Sequence, residues 1–142
     1  MSLIAIYRHE FTVPAAVVDA NGHVNNVAYV QWMQDLALRH ADAVGCTHAT
    51  RAAGATWVAR SHRIEYLRPA FPDEPLVALT WVTDFRKVRL LRKYKFVRPT
   101  DQAVIATGET EWVFVNATTG RPQSIPATII AVFELIPQDR EP

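Results

Sequence analysis

Residues 27 to 44 show the clearest helical pattern in the chain. Mostly apolar side chains recur there at three- and four-residue steps, which places them on one face of an α-helix. These positions are Tyr29, Trp32, Met33, Leu36, Ala37, His40, Ala43 and Val44. Gly45 follows directly, and a glycine at this point commonly ends a helix in a left-handed conformation. The pattern therefore predicts one long helix over 27–44.

Most of the remaining chain consists of segments rich in β-branched and aromatic residues, separated by Pro, Gly and Asp. Apolar and polar positions alternate most clearly in 103–116, where Glu109 and Glu111 fall on the face expected to be wet. Residues 47–55 are small and polar, and we expect a connection with a short turn. Strands are predicted over 7–13, 57–67, 76–83, 89–98, 103–116 and 125–136.

This order of elements favours an α+β fold. Short turns between consecutive strands favour antiparallel neighbours, and one apolar helix would bury its face against such a sheet. We expect a single domain over residues 1–142, with a long central helix wrapped by a curved, mainly antiparallel sheet of five to six strands. The polar tail, 137–142, is expected to be frayed.

Composition and charge exclude several classes of protein. The net charge of +1 gives no support for nucleic-acid binding. No segment has the roughly 20 apolar residues that a spanning helix needs, and the N-terminus has too short an apolar run for a signal peptide. The single cysteine, Cys46, cannot form an intrachain disulfide. We therefore expect a soluble, cytoplasmic protein that has no membrane partner.

An unusually polar stretch precedes the predicted helix. It is Asp19-Ala20-Asn21-Gly22-His23-Val24-Asn25-Asn26. Either of its last two asparagines can cap the helix, and the glycine permits a tight bend. The N–H groups of a first helical turn are available to an anion or a developing oxyanion. The stretch is typical of a loop that brings a carboxylate and an imidazole to a helix N-terminus.

The same stretch resembles the opening motif of hot-dog-fold acyl thioesterases. The 4-hydroxybenzoyl-CoA thioesterase-like group has an Asp in this loop, before a Gly and the long helix. Plant acyl-ACP thioesterases have D-x-N-x-H followed by V-N-N, an aromatic residue and a Trp. This sequence is similar to that pattern at Asp19, Asn21, His23, Val24, Asn25, Asn26, Tyr29 and Trp32. The segments 64–70 and 119–122, with Pro126, are further family-like points, and the resemblance covers nearly the whole chain.

The resemblance implies hydrolysis of an acyl-CoA or acyl-ACP thioester. Asp19 would act as nucleophile, forming a mixed anhydride, or as general base on water. Asn21 would orient Asp19 or the water, and His23 would hydrogen-bond or transfer a proton near neutral pH. The carbonyl would be polarised by backbone N–H groups at Val24, Asn25 and Asn26. No metal or other cofactor is expected, because the histidines lack the spacings typical of zinc sites.

Two further groups of residues are candidates for substrate binding. Tyr29, Trp32 and Met33 lie on the predicted core face of the helix, where core and acyl pocket overlap in this fold. The basic run from 86 to 98 is either a solvated surface, offset by Glu109 and Glu111, or a contact for the phosphates of CoA. The candidates for that contact are Arg86, Lys87 and Arg89, with Arg60 and Arg63 as further options.

The plant enzymes have two hot-dog repeats in one chain, whereas this chain has room for one. A homodimer is therefore expected, with strand 57–66 paired across a two-fold axis, and dimers can pair further into a tetramer. Two other functions remain open: a hot-dog enoyl-CoA hydratase and a non-enzymatic acyl-thioester-binding protein. Hydratases of this fold resemble D-x-N-P-x-H; here Gly22 replaces the Pro and His23 comes one residue too early.

Overall fold

The computed structural model describes residues 4–142. In chain order, its main elements are β1 (Ile6–Thr12), α1 (Asn26–Val44), α2 (Cys46–Ala52), β2 (Ala55–Tyr66), β3 (Pro75–Arg86), β4 (Arg89–Arg98), β5 (Ala103–Asn116) and α3 (Ala127–Ile130). Single turns of 3-10 helix cover Ala15–Val17 and Gln138–Arg140. The long helix and the five strands beginning at 6, 55, 75, 89 and 103 confirm the predicted α+β arrangement.

The five strands form one antiparallel sheet in the order β1-β3-β4-β5-β2. Strand β2 is an edge strand that pairs only with β5 among the described residues. Its register places Tyr66 opposite Ala106 and Ala55 opposite Asn116. The β3–β4 hairpin turn adjoins the Asn116 end of β5, because Arg89 pairs with Val113. The two ends of β2 therefore lie at opposite ends of the sheet.

Helix α1 packs across one face of this sheet. Its buried side chains are those of Ala28, Tyr29, Met33, Leu36, Ala37 and His40. Every second residue of β4 faces the helix and is buried, namely Leu90, Arg92, Tyr94 and Phe96. Gly108 on β5 lets the helix approach closely, since a Cβ there would lie 2.9 Å from the Met33 sulfur. A side chain at position 108 would therefore require the buried Met33 side chain to shift.

The strand predicted over residues 125–136 is wrong. The chain there forms the single-turn helix α3 and irregular structure. Its buried residues are Ile125, Ile129, Phe133 and Ile136, at steps of three and four rather than two. This spacing buries one side of an irregular segment against α2 and the sheet. The sheet consequently has five strands, and four rather than five of them follow α1.

Two other segments differ from expectation. Residues 47–52, which belong to the predicted connection 47–55, form helix α2 together with Cys46, directly after Gly45. The tail after Pro137, expected to be frayed, lies against the outer face of the sheet. Lys93 donates to Glu141 at 2.8 Å, and Lys95 donates to the Pro142 carbonyl at 2.8 Å. The tail thus covers part of the face opposite α1.

Candidate functional site

Asp19 is the first residue of a tight loop before α1. The loop closes by two backbone hydrogen bonds, from Asp19 N–H to the His23 carbonyl and from Gly22 N–H to the Asp19 carbonyl, both 3.0 Å. Gly22 has a φ of 81°, in the left-handed region where a glycine avoids the steric cost of a Cβ. One carboxylate oxygen of Asp19 accepts the Asn21 N–H at 2.9 Å. The second oxygen of this half-buried side chain accepts no hydrogen bond from residues 4–142.

Asn25 is the residue that caps α1. Its side-chain oxygen accepts the Ala28 N–H at 2.9 Å, and its side-chain amide donates to the Val17 carbonyl at 2.9 Å. Its backbone N–H donates to the same Val17 carbonyl at 2.9 Å. Asn25 therefore fixes both the helix start and the segment that leads into the Asp19 loop.

The structure narrows the set of N–H groups that could bind an oxyanion. The Val24 N–H donates to the Ala70 carbonyl at 2.9 Å, and that of Asn25 is also occupied. These two N–H groups are already used in holding the loop. The N–H groups of Asn26 and Val27 donate to no acceptor within residues 4–142. They are the first two of α1, where the helix dipole favours negative charge.

Exposed apolar side chains surround this helix N-terminus. Val27 is 76% exposed and Leu67 is 52% exposed, and Tyr66 and Phe71 are also exposed. The Tyr66 hydroxyl donates to the Asn26 carbonyl at 3.0 Å, so the end of β2 meets the first turn of α1. A grouping of exposed apolar residues beside a polar loop is typical of a surface that binds a ligand or a second protein.

His23 takes a place beside this apolar group. Its ring lies edge-on to that of Phe71, with the centroids 6.5 Å apart. Its Nδ1 lies 3.4 Å from the Val24 carbonyl, and no hydrogen bond joins it to the Asp19 side chain. The imidazole is half-buried. The loop therefore brings Asp19, Asn21 and His23 into one turn without a direct Asp–His pair.

Arg98 anchors the loop of residues 69–74 that packs beside His23. Its guanidinium donates to Asp101 at 2.9 Å and to the Glu74 carboxylate and the Pro69 carbonyl at 3.4 Å. The hydrogen bonds to Asp101, first among the causes, raise the pKa of Arg98. Arg98 thus holds the 69–74 loop, whose Ala70 carbonyl accepts the Val24 N–H, to the β4–β5 turn.

The predicted acyl-contact residues form one aromatic cluster with the sheet. Tyr29 lies edge-on to the rings of Trp32, Tyr66 and Phe96, at centroid distances of 5.1 to 5.5 Å. Burial, followed by the nearby Tyr66 and Glu74, raises the pKa of Tyr29 to about 12. Met33 is completely buried and Trp32 is half-buried. Met33 is therefore a core residue, while Trp32 is partly accessible.

The predicted phosphate contacts lie at the other end of the sheet. Arg86 is paired with Asp84 at 3.0 Å, and Arg89 is paired with Glu111. Lys87 is exposed in the β3–β4 turn and makes no ion pair within residues 4–142. The Tyr66 end of β2, where α1 begins, is roughly 30 Å from the Ala55 end near this turn. One chain does not bring these residues to Asp19.

The sequence analysis did not identify a buried polar pair between α1 and β4. His40 and Arg92 are 0% and 2% exposed, and Arg92 Nη1 lies 2.8 Å from His40 Nδ1. The signal was available, because Arg92 shares its strand register with Leu90, Tyr94 and Phe96. Arg92 was instead counted with the neighbouring basic residues of the run 86–98.

Within residues 4–142, no helix has both the length and the apolar character needed to cross a membrane.

The architecture and the comparisons agree on the class of protein. One long helix packed on a curved antiparallel sheet, with a polar loop at the helix N-terminus, defines a hot-dog-fold protein. The model of the Thioesterase-like superfamily matches residues 13–133, and the chain belongs to this family. The search of curated proteins gives no significant match.

Several solved structures are similar in fold. The probable thioesterase YbaW from Escherichia coli is 15% identical, with a TM-score of 0.81 over 88% of this chain and 94% of that one. An acyl-ACP thioesterase from Bacteroides thetaiotaomicron is 20% identical, with a TM-score of 0.83 over 97% of this chain and 57% of that one. A Staphylococcus aureus protein in complex with CoA is 17% identical, with a TM-score of 0.82 over 93% and 84%. At these identities the likeness concerns the fold.

Proposed function

We propose that this protein hydrolyses an acyl-CoA or acyl-ACP thioester at the N-terminus of α1. Membership of the thioesterase-like family supports thioester hydrolysis as the general activity. The observation that supports the site is the pairing of a partly accessible carboxylate, Asp19, with the unoccupied N–H groups of Asn26 and Val27. A carboxylate and a pair of preorganised donors are what acyl transfer requires.

The reaction has two forms at this site. As general base, Asp19 takes a proton from a water, whose oxygen then attacks the thioester carbonyl carbon. As nucleophile, its carboxylate oxygen attacks that carbon itself and gives a mixed anhydride, which water then hydrolyses. In both forms the C–S bond breaks with release of the thiol. The Asn26 and Val27 N–H groups stabilise the negative charge that develops on the carbonyl oxygen.

Asn21 and His23 have supporting roles in this proposal. The Asn21 N–H already orients one oxygen of Asp19 at 2.9 Å, which leaves the other for the reaction. His23 has no direct bond to Asp19, so it would act on water or the leaving thiol. The exposed apolar side chains of Val27, Leu67 and Phe71 would contact the acyl group or a second subunit.

We further propose a homodimer formed by the free edge of β2. Antiparallel pairing of a strand with its own copy places each end of β2 beside the opposite end of the partner strand. The β3–β4 turn of one subunit would then approach the α1 N-terminus of its partner. Since Arg86 and Arg89 are already paired with acids, Lys87 is the best candidate for a CoA phosphate contact.

A panel of thioesters tests the activity. We expect release of free thiol from a saturated or aromatic acyl-CoA, or from acyl-ACP, and no loss of absorbance from an enoyl-CoA. Lys87→Ala should raise KM for acyl-CoA with little change in kcat, because the phosphates lie far from the reacting carbon. Arg8→Ala, at an exposed residue of β1 on the opposite edge of the sheet from β2, serves as the control. Loss of enoyl absorbance without thiol release would instead establish a hydratase, and binding without turnover would establish a non-enzymatic thioester-binding protein.

A further inference from the structure

Arg92 is a buried cation in the middle of the fold. It lies on β4, faces the C-terminal half of α1 and is 2% exposed. Its Nη1 donates to His40 Nδ1 at 2.8 Å and to the Thr80 hydroxyl at 3.0 Å. Its guanidinium carbon lies 5.6 Å from the centre of the Phe133 ring. These contacts hold the side chain in one place.

No carboxylate compensates this charge within residues 4–142. None of the ion pairs among these residues includes Arg92. His40 is neutral, because burial and the neighbouring Arg92 lower its pKa to about 4. Its Nε2–H donates to the Ile4 carbonyl at 2.7 Å, which leaves Nδ1 to accept from Arg92. A buried, uncompensated cation is costly unless an anion accompanies it.

A cavity opens directly beside the guanidinium. Its volume is about 220 Å³, and Arg92 forms part of its wall together with Leu90, Trp57, Trp112 and Phe133. No aspartate or glutamate lines it. The Nε and Nη2 groups of Arg92 donate to no acceptor in residues 4–142. Neither atom is completely enclosed by the protein. Among these residues, both groups remain available to a ligand in the cavity that Arg92 lines.

The mouth of the cavity lies where α1, α2 and the start of β2 meet. Exposed residues there include Arg51 and Thr56. Cys46 and Thr50 provide the polar part of the inner wall, and the Thr50 hydroxyl already accepts the Trp57 N–H at 3.0 Å. Burial raises the pKa of the Cys46 thiol, so it adds no negative charge. The interior thus combines aromatic and aliphatic walls with one cationic group.

We propose that this cavity binds a monocarboxylate with an apolar body, whose carboxylate pairs with Arg92. The planar guanidinium can donate two parallel hydrogen bonds to a carboxylate. Arg92 is the one cation of the interior, since Arg51 is exposed at the mouth. A singly charged group balances Arg92, whereas a phosphate would leave negative charge among apolar walls. The apolar residues around the guanidinium would contact the hydrocarbon part of the ligand.

The carboxylate has two possible sources. It is either a free organic acid or the distal carboxylate of the acyl group of a thioester. Within one chain, His40 lies about 20 Å along α1 from Asn26, so the second source requires the partner subunit. Pairing of β2 with its copy would bring the Trp57 end of one subunit toward the α1 N-terminus of the other. The second source rests on the proposed function, whereas the first does not.

Binding of matched ligands tests the site. The probes are phenylacetate and its neutral amide, phenylacetamide, followed through the fluorescence of the tryptophans, two of which line the cavity. We expect saturable binding of phenylacetate and at least tenfold weaker binding of the amide. Arg92→Met should remain folded and lose this preference, because the substitution also removes a buried uncompensated charge. Arg8→Met, at an exposed residue of β1 on the opposite edge of the sheet, should bind as the wild type does.

Three results would overturn the proposal. They are equal binding of phenylacetate and its amide, unchanged phenylacetate binding by Arg92→Met, and the same fluorescence response to sodium sulfate at equal ionic strength. If Arg92→Met does not fold, Arg92→Lys keeps the charge but removes the planar fork, and it should weaken phenylacetate binding selectively. Wild-type binding of the acid and the amide decides the matter in either case.

Turnover distinguishes the two sources. Glutaryl-CoA and pentanoyl-CoA have acyl chains of equal length, and only the first ends in a carboxylate. If Arg92→Met lowers kcat/KM for glutaryl-CoA at least tenfold and spares pentanoyl-CoA, the acyl group supplies the carboxylate. If both thioesters are unaffected while phenylacetate binding is lost, the ligand is a free acid. Phenylacetate binding without hydrolysis of any thioester would contradict the proposed function and leave the carboxylate site established.

Discussion

His40 is a histidine that the fold keeps neutral. It is completely buried, and its two ring nitrogens are satisfied by Arg92 and by the Ile4 carbonyl. Burial is the first cause of its low pKa, and the charge of Arg92 is the second. A protonated imidazole would face the guanidinium and lose its acceptor nitrogen. The folded state therefore resists a proton that the unfolded chain accepts.

This difference predicts a pH-dependent stability. The pKa of His40 is 6.5 in the unfolded reference and about 4 in the folded protein, so unfolding takes up a proton between these values. The contribution of neutral His40 to the free energy of unfolding should be fully present above pH 6.5. It should be lost as the pH decreases toward 4, which lowers the free energy of unfolding by up to about 3 kcal/mol. Urea titrations at several pH values measure the slope.

His40→Asn is the matched variant for this prediction. The Asn oxygen can still accept from Arg92, but it does not titrate. We expect a smaller loss of stability between pH 6.5 and 4 than in the wild type, whatever the variant's stability at neutral pH. An identical slope in both proteins would show that another group, such as His9 with its lowered pKa, determines the acid response.

Helix α1 owes its start to a single side chain. Asn25 accepts the Ala28 N–H and ties the preceding segment to Val17. Asn25→Ala should lower the free energy of unfolding by about 1 to 2 kcal/mol, because a cap and a second hydrogen bond are lost. Denaturant unfolding measures this. Gln31→Ala, on the exposed side of the same helix, is the control and should change stability little.

The elements show what the sequence pattern can and cannot determine. The strands 89–98 and 103–116 were predicted with the bounds observed, because their alternation is regular and turns separate them. Residues 125–136 have the composition of a strand, yet they are not paired with the sheet as one. Their burial follows a step of about four, between Pro126 and Pro137, which a composition-based assignment overlooks.

The candidate site, like the strands, was predicted only in part from the sequence. The motif from Asp19 to Asn26 was predicted to form a polar loop before a helix, and the structure has such a loop there. The pattern could not show that the Ala70 and Val17 carbonyls occupy the N–H groups of Val24 and Asn25. Those acceptors are distant in sequence or belong to irregular backbone, so only tertiary structure reveals which donors remain free.

At the scale of the whole molecule, the main feature is the edge of β2, which has no neighbouring strand on one side among the described residues. The strand exposes six consecutive residues from Val58 to Arg63, and its Arg60 and Arg63 are offset by Glu111 and Glu109. An unpaired edge of this length is a template for pairing with another strand. The proposed dimer would satisfy it and would bring opposite ends of two sheets together.

A charge placed on this edge tests the assembly. We expect the wild type to be a dimer by light scattering at micromolar concentration. Val58→Lys should shift it toward monomer, because end-to-end antiparallel pairing places each added charge near Arg60 and Arg63 at the interface. Ile130→Lys introduces the same charge at a similarly exposed aliphatic residue of α3 and should remain dimeric. A wild type that is monomeric under these conditions contradicts the proposal.

The central claim concerns the role of Asp19, and one substitution tests it directly. Asp19→Asn keeps the shape and the oxygen that accepts the Asn21 N–H, so folding should be unaffected. It removes the carboxylate that either form of the reaction requires. On the best thioester of the panel, we predict at least a roughly 10²-fold loss of kcat, with a melting temperature close to that of the wild type. If Asp19→Asn retains most of its kcat, the carboxylate only stabilises the loop, and the proposed active site is wrong.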